Sequence, residues 1–174
     1  MFSNLCRLAI AALIALISVT QAVQAGEAPR AAAPAVALKG LDGKQVTLAE
    51  QKGKVVLLSF WATWCGPCQQ ELPKIQALAS KYADKGLVVL TVSVDDASTV
   101  AQVRATARKH RLSVPVLLDP DNTAIAAFNP RGDVPFTVIV DRNGNVAEKH
   151  GGYAAGDEAN YEKIIAGLLA EAAK

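Results

Sequence analysis

Two cysteines separated by two residues are the part of this sequence that most directly suggests chemistry. Cys65 and Cys68 lie in the stretch WATWCGPC, residues 61–68, and the 174-residue chain has three cysteines in all. A disulfide between them would close so short a loop that it would restrain little of the unfolded chain, so a purely structural bridge explains the spacing poorly. The spacing instead indicates a pair that cycles between dithiol and disulfide.

The pair lies between a predicted strand and a predicted helix. VVLLSF, residues 55–60, is a continuous apolar run, typical of a strand buried on both faces. Apolar residues at near-helical spacing then predict a helix over about 67–82, kinked at Pro73. A helix start presents unpaired N–H groups and the positive end of the dipole, which stabilise a thiolate. Cys65 is therefore predicted to be the nucleophile, and Cys68, one turn further and more buried, the resolving thiol.

The rest of the pattern predicts one α/β domain with three layers, a central mixed β-sheet with helices on both faces. Strands alternate with helices up to residue 140, and a hairpin at RNGN closes the sheet. The net charge of +2 and the 5% aromatic content give no sign of a surface for nucleic acid. The further predicted strands are two around Asp42–Gly43 within 36–48, then 87–95, 114–119, 136–141 and the segment after RNGN; the further helices are 98–110, 121–128 and 157–173.

The first 25 residues are predicted to be a secretory signal peptide. Arg7 precedes the uncharged apolar run 8–19, and VQA places small residues before a cleavage point after Ala25. The run is shorter than the roughly 20 residues of a membrane-spanning helix, although an uncleaved anchor is the alternative. Cleavage would remove Cys6. We expect residues 26–35, rich in Ala and Pro, to form a flexible or partly extended linker, and residues 36–174 to form the domain.

Three features together resemble the thioredoxin superfamily: the motif WATWCGPC, Pro73 in the following helix, and Val134–Pro135 before the apolar strand FTVIVD. With the signal peptide and the added segment 98–118, the chain is similar to the exported TlpA/ResA-like branch, the thiol–disulfide oxidoreductases of the bacterial envelope. The resemblance covers about residues 36–155. It implies a thioredoxin-like fold with an N-terminal β-hairpin and a central insertion.

The resemblance also implies which residues form the site. They are the catalytic Cys65, Cys68 and Glu71, the active-site loop residues Trp64, Gly66 and Pro67, and the substrate-binding Trp61, Val134 and Pro135. The proline of the Val–Pro pair is cis in the family and faces the cysteines. No cofactor and no metal are implied. The implied partners are client proteins with thiols or disulfides and a membrane electron donor. The expected activity is the reduction of client disulfides in the periplasm, in cytochrome c maturation.

Two departures from thioredoxin concern proton transfer. Thioredoxin carries a buried aspartate six residues before its first cysteine, where this chain has Ser59, which does not ionise in the working pH range. Glu71, three residues after Cys68, matches a glutamate of the ResA-like group. We therefore predict that Glu71 accepts the proton of Cys68; a solvated helix carboxylate is the alternative. The dipeptide Gly66–Pro67 is of the thioredoxin type, whereas the branch varies there, so the direction of electron flow stays open.

The same pair of cysteines is also compatible with other functions. A carrier could bind Cu(I) or a thiol client at the two thiols without turnover. Zinc normally requires four ligands, and no second pair of ligands accompanies this one. A peroxiredoxin-like enzyme is disfavoured because no Thr-x-x-Cys peroxide site is present.

Several nearby residues have structural interpretations as well. Trp61 could be a core aromatic rather than a substrate contact. Asp95 and Asp96 follow a strand, where ligands often bind in α/β folds, although helix capping is the simpler role. His110 at a helix end is expected to complement the terminal carbonyl groups.

Overall fold

One mixed β-sheet organises the part of the chain that the structure, a computed structural model, describes, residues 29–171. The strands are β1 (Ala37–Gly40), β2 (Gln45–Thr47), β3 (Val55–Trp61), β4 (Leu87–Ser93), β5 (Val116–Leu118), β6 (Phe136–Val140) and β7 (Val146–Gly151). Their order in the sheet is β2-β1-β5-β4-β3-β6-β7. Strands β3, β4 and β5 are parallel, and the other neighbouring pairs are antiparallel. The predictions for residues 1–25, including Cys6, lie outside the described residues.

Helices cover both faces of this sheet. They are α1 (Gly66–Tyr82), α2 (Val100–Lys109), α3 (Thr123–Phe128) and α4 (Asp157–Ala170). The apolar stripes of α1 and α4 pack on one face, where Ile75 and Tyr161 join a buried cluster with Leu57. On the other face, α2 and α3 contribute Val103 and Ile125 to a second cluster. The predicted three-layer thioredoxin-like fold is confirmed.

Strand β3 is an interior strand of the sheet, between β4 and β6, and it positions the cysteines. All seven of its residues are buried, as the apolar run predicts for a strand covered on both faces. It pairs in parallel with β4 and antiparallel with β6. Cys65 follows its last residue, Trp61, by four positions, so the motif lies at the carboxyl end of this strand.

The central insertion, residues 98–118, joins the N-terminal hairpin to the rest of the sheet. It supplies α2 and β5, and β5 lies between β1 and β4. Lys39 of β1 is paired with Leu118 of β5. Arg104 of α2 also donates a hydrogen bond to the Leu41 carbonyl oxygen at 2.6 Å. The hairpin is therefore an edge of the main sheet.

The Ala- and Pro-rich segment before β1 is extended and paired where the structure describes it. Ala32 forms an isolated antiparallel bridge with Asn145, in the turn between β6 and β7. The Val146 N–H donates to the Ala31 carbonyl oxygen at 2.8 Å. Arg30 lies 3.2 Å from Asp141. Within residues 29–171, no helix has both the length and the apolar character needed to cross a membrane.

Candidate active site

Cys65 and Cys68 form a disulfide at the start of α1, with their Cα atoms 5.3 Å apart. Cys65 is the N-cap residue of α1, and its sulfur accepts a hydrogen bond from the Cys68 N–H at 3.2 Å. Cys65 is 4% exposed and Cys68 is 0% exposed. The two sulfurs are therefore not equivalent, because the helix start and the small exposed surface both belong to Cys65.

Three exposed residues surround this buried pair: Trp64, Gly66 and Pro67. Trp64 is 73% exposed and is the exposed large hydrophobic side chain of the described residues. Pro67 lies in the first turn of α1, where its missing N–H removes no helical hydrogen bond. A Cβ added at Gly66 would meet no atom within 4 Å. The packing of the domain therefore does not require a glycine at this position.

Trp61 does not share this exposure. It ends β3 and is 0% exposed, so its side chain cannot contact a client protein in this conformation. The substrate-contact prediction for Trp61 is therefore corrected to the core-aromatic alternative. Its indole belongs to the same buried cluster as both cysteines.

The Val134–Pro135 bond is cis, as the family resemblance implies. Pro135 is buried and Val134 is partly buried. Val134 packs against the cluster that contains Cys65 and Cys68, and Phe136, the first residue of β6, is a member of that cluster. The loop before β6 therefore packs against the same buried cluster as the two cysteines.

Glu71 is buried one helical turn after Cys68, with 1% of its surface exposed. Its Oε1 accepts hydrogen bonds from Thr137 Oγ1 at 3.0 Å and from the Tyr161 hydroxyl at 3.1 Å. Its Oε2 has no hydrogen-bond partner among residues 29–171. Burial raises the pKa of Glu71 to about 7, against the lowering effect of the two hydroxyl donors. The solvated-carboxylate alternative is therefore wrong.

The two hydroxyl partners of Glu71 were not identified from the sequence. Thr137 interrupts the apolar strand FTVIV, and Tyr161 lies in the apolar stripe of α4. A polar side chain inside a buried apolar element requires a hydrogen-bond partner. The presence of Thr137 and Tyr161 in such elements therefore indicated that each binds another buried polar group. Burial and the nearby charge of Glu71 raise the pKa of Tyr161, so its hydroxyl stays protonated and donates to the carboxylate. Ser59 is paired with Thr137 across the strands, and it too is buried.

Asp95 holds the loop that leads to the cysteines. Its carboxylate accepts from the Thr63 N–H at 3.0 Å and from the Thr63 hydroxyl at 2.6 Å. It also accepts from the Ser93 hydroxyl at 2.8 Å. The capping interpretation is right for the neighbouring Asp96, which accepts from the Ser98 N–H, and wrong for Asp95. Asp95 instead fixes Thr63 against Ser93 at the end of β4.

A second link joins the loop to the insertion helix α2. Gln69 donates to the carbonyl oxygens of Ala62 and Thr63 at 3.5 and 3.4 Å. Its Oε1 lies 2.7 Å from Nε2 of His110. The ring of His110 therefore binds the residue beside Cys68, rather than the last carbonyl groups of α2. Burial lowers the pKa of His110, which favours the neutral ring.

In chemical terms, the site combines a redox pair at a helix start with a buried carboxylate one turn away. The disulfide can be attacked by a thiolate and re-formed from the two thiols. The carboxylate can hold a proton during this exchange. Among residues 29–171, no group of three or more His, Cys, Asp or Glu side chains is arranged to hold a metal ion.

Comparisons with known proteins agree with this chemistry. Residues 29–149 match the model of the AhpC/TSA family. The chain is 41% identical over 120 residues to the thioredoxin-like protein YneN of Bacillus subtilis, which covers 69% of each chain. It is 34% identical to the thiol-disulfide oxidoreductase ResA of Bacillus cereus, over 67% of this chain and 66% of that one.

A solved structure also matches the fold of this chain. A structure described as a putative thiol:disulfide interchange protein DsbE from Chlorobium tepidum superimposes with a TM-score of 0.74 and 31% identity, over 80% of this chain and 96% of that one. Sequence relatives, fold and cysteine pair all agree. The chain belongs to the AhpC/TSA family of thioredoxin-like proteins and is a thiol–disulfide oxidoreductase.

Proposed function

We propose that the enzyme reduces disulfides of client proteins, with Cys65 as the attacking thiol and Cys68 as the resolving thiol. The observation that carries this assignment is the difference between the two cysteines. Cys65 caps the helix and has the exposed surface, whereas Cys68 is completely enclosed. The Cys65 thiolate attacks a client sulfur, and the client's second sulfur leaves with the electron pair and takes a proton. The result is a mixed disulfide.

Glu71 acts in the second half of the exchange. Cys68 must lose a proton while buried, and burial disfavours the thiolate. We assign Glu71 as the acceptor of that proton because it lies one turn from Cys68, where helical side chains are neighbours, and has one oxygen without a described donor. The Cys68 thiolate then bonds to Cys65, and the electron pair of the broken mixed disulfide passes to the client sulfur.

Single-cysteine variants test these roles. The reduced Cys68→Ser protein should trap client proteins as mixed disulfides through Cys65, whereas Cys65→Ser should trap almost none. Trapping through Cys68 instead would reverse the assignment. A protein that binds thiol clients or Cu(I) tightly, yet does not turn over insulin disulfides, would support the carrier alternative.

The direction of electron flow is proposed from the family resemblance and from the Gly66–Pro67 dipeptide of the thioredoxin type. The reduction potential should lie nearer to that of thioredoxin, about −270 mV, than to that of the oxidant DsbA, about −120 mV. Equilibration with glutathione or dithiothreitol couples, read by alkylation of the free thiols, measures it. A value near the DsbA potential would mean that the enzyme oxidises its clients.

We further propose that the protein is exported to the periplasm and reduces apocytochrome c, with electrons from a membrane donor. The support is the signal-like sequence of residues 1–25 and the resemblance to the ResA-like group. The exported protein should begin at Gly26 by mass spectrometry. It should reduce an oxidised Cys-x-x-Cys-His peptide, the haem attachment motif, faster than a disulfide peptide of unrelated sequence. Equal rates would count against this client.

The substrate contacts are assigned to the exposed Trp64 and to the Val134–Pro135 loop. Trp64 directly precedes Cys65, and Val134 packs against the buried cluster that contains both cysteines. The peptide groups of such a loop can pair with an extended client chain as in strand addition. Trp61, being enclosed, packs in the buried cluster that contains both cysteines.

A further inference from the structure

A row of polar side chains crosses three strands of the sheet beside Glu71. Ser59 of β3 is paired with Thr137 of β6, and Thr137 is paired with His150 of β7. Directly paired residues point to the same face of a sheet, with their Cβ atoms roughly 4.5–5.5 Å apart. We call Ser59, Thr137 and His150 the polar row. It leads from the enclosed strand β3 to the partly exposed edge strand β7.

His150, the outer member of the polar row, connects the surroundings of Glu71 with solvent. Its ring meets the Tyr161 ring edge to face, with the centroids 5.4 Å apart. Its Nε2 lies 3.0 Å from Asp157 Oδ2. The side chains of His150 and Asp157 are 30% and 29% exposed. His150 therefore lies beside Thr137 and Tyr161, the two residues whose hydroxyl groups bind Glu71, while part of its side chain remains exposed to solvent.

The charges around Glu71 act in opposite directions. A protonated His150 lowers the pKa of Glu71, and the Asp157 carboxylate raises it. The other titratable or charged groups on the surrounding elements are Tyr161 on α4, Tyr153 in the loop before α4, and the ion pair of Lys74 on α1 with Glu158 on α4, 3.2 Å apart at the rim. Of the two charged groups that act on Glu71, His150 is the basic one, so its protonated form stabilises the Glu71 carboxylate.

We propose that His150, oriented by Asp157, is a positioning residue that sets the protonation state of Glu71 and thereby the pH range of the resolving step. The proposal rests on the assignment of Glu71 as the proton acceptor. When His150 is protonated, its charge stabilises the Glu71 carboxylate, the form that accepts the proton of Cys68. A neutral side chain at position 150 leaves a larger fraction of Glu71 protonated and unable to act.

A purely structural role for His150 is the competing explanation. The ring could simply pack on Tyr161, and Asp157 could simply serve the first turn of α4, where it also accepts from the Ala154 N–H at 2.7 Å. Two substitutions separate packing from charge. His150→Gln keeps an amide donor for Asp157 and removes the ring, whereas His150→Phe keeps a ring against Tyr161 and removes the donor. Neither carries a charge.

The first experiment follows the Glu71 carboxyl carbon by 13C NMR between pH 4 and 10 in the oxidised protein, in which the cysteines do not titrate. Both His150 variants should move the titration of Glu71 to higher pH. Lys163→Gln, which removes one charge from the exposed side of α4, is the matched control and should leave it in place. No movement in the His150 variants, movement in only one of them, or an equal movement in the control overturns the proposal.

The second experiment measures the resolving step by stopped flow, from a preformed mixed disulfide. At pH 7 the rate of His150→Gln should fall about twofold as the carboxylate fraction of Glu71 falls, and it should approach the wild-type rate near pH 9. In a Glu71→Gln background, His150→Gln should change the pH profile no further. If Glu71→Gln itself keeps the wild-type profile, the assigned proton acceptor is wrong. If only the His150 effect is missing, the present inference is wrong.

Discussion

Replacing Glu71 by glutamine should change how the stability of the oxidised protein depends on pH. Burial raises the pKa of Glu71 from 4.5 to about 7, and unfolding returns the side chain to water. The folded state therefore holds this proton more tightly than the unfolded state does. The resulting stabilisation is fully present below pH 4.5 and is lost as the pH rises through about 7. Glutamine does not titrate, so the variant should lack this loss.

The size of the effect follows from the same pKa values. Each pH unit corresponds to about 1.36 kcal/mol, so Glu71 should remove about 3 kcal/mol from the wild-type free energy of unfolding between pH 4.5 and 8. The free energy of the variant, relative to wild type, should rise by that amount over the same interval. A glutamine oxygen can still accept from Thr137 and Tyr161. Its NH2 group takes the place of Oε2, where no described residue accepts a hydrogen bond from it. This lowers the free energy of unfolding of the variant by about 1–3 kcal/mol at every pH.

Urea unfolding of the disulfide-bonded protein at several pH values from 4 to 8 measures this difference. Glu50→Gln is the matched control, because Glu50 is exposed and its hydrogen bonds with Thr47 lower its pKa. Stabilisation from Glu50 is present above its ordinary pKa and is lost in acid, so its difference has the opposite sign and is confined to low pH. A Glu71→Gln difference that stays flat from pH 4.5 to 8 would refute the reasoning from burial.

Three further substitutions probe the active-site loop. Asp95→Asn removes the carboxylate that binds Thr63 and should lower the free energy of unfolding by about 2–3 kcal/mol in urea; a wild-type value would show that the loop does not depend on this anchor. Gly66→Ala should raise the free energy of unfolding by about 0.4–1 kcal/mol, because the position is helical and open, and should slow exchange with a protein client more than with oxidised glutathione. Equal slowing would mean that no client backbone approaches there. Trp64→Ala should leave the melting temperature nearly unchanged, since the indole is 73% exposed, and raise KM for protein clients severalfold; an unchanged KM would remove Trp64 from the contact surface.

The fold was predictable where the local pattern of apolar residues is sufficient to specify a strand or a helix. An uninterrupted apolar run specifies a central strand, and β3 is one. The position of the cysteines at a strand-to-helix junction follows from two neighbouring elements, so their different burial could be anticipated. Helix α1 begins at Gly66, one residue before the predicted start at 67. Helix α4 ends at Ala170, three residues before the predicted end at 173. Helix ends depend on capping contacts that a hydrophobic pattern does not encode.

The surroundings of the site were less predictable because its contacts join distant parts of the chain. Glu71 binds Thr137 and Tyr161, which are 66 and 90 positions away. Asp95 binds a threonine 32 positions earlier. A sequence shows that a polar residue occurs in an apolar element, but its partner depends on strand register and helix packing. For the same reason the sequence left the burial of Glu71 and Trp61 undecided, although both lie next to the motif.

The pairing of Ala32 with Asn145 determines where the N-terminal part of the chain joins the domain. Since β6 runs antiparallel to β3, with Val56 opposite Val140, the turn that contains Asn145 lies near the beginning of β3. Cys65 follows the other end of β3, roughly 20 Å away at about 3.3 Å per residue. The described residues Arg30, Ala32 and Ala33 therefore lie near the end of the sheet opposite the cysteines. A surface or a second domain bound at this end of the sheet would be separated from Cys65 by about the length of β3.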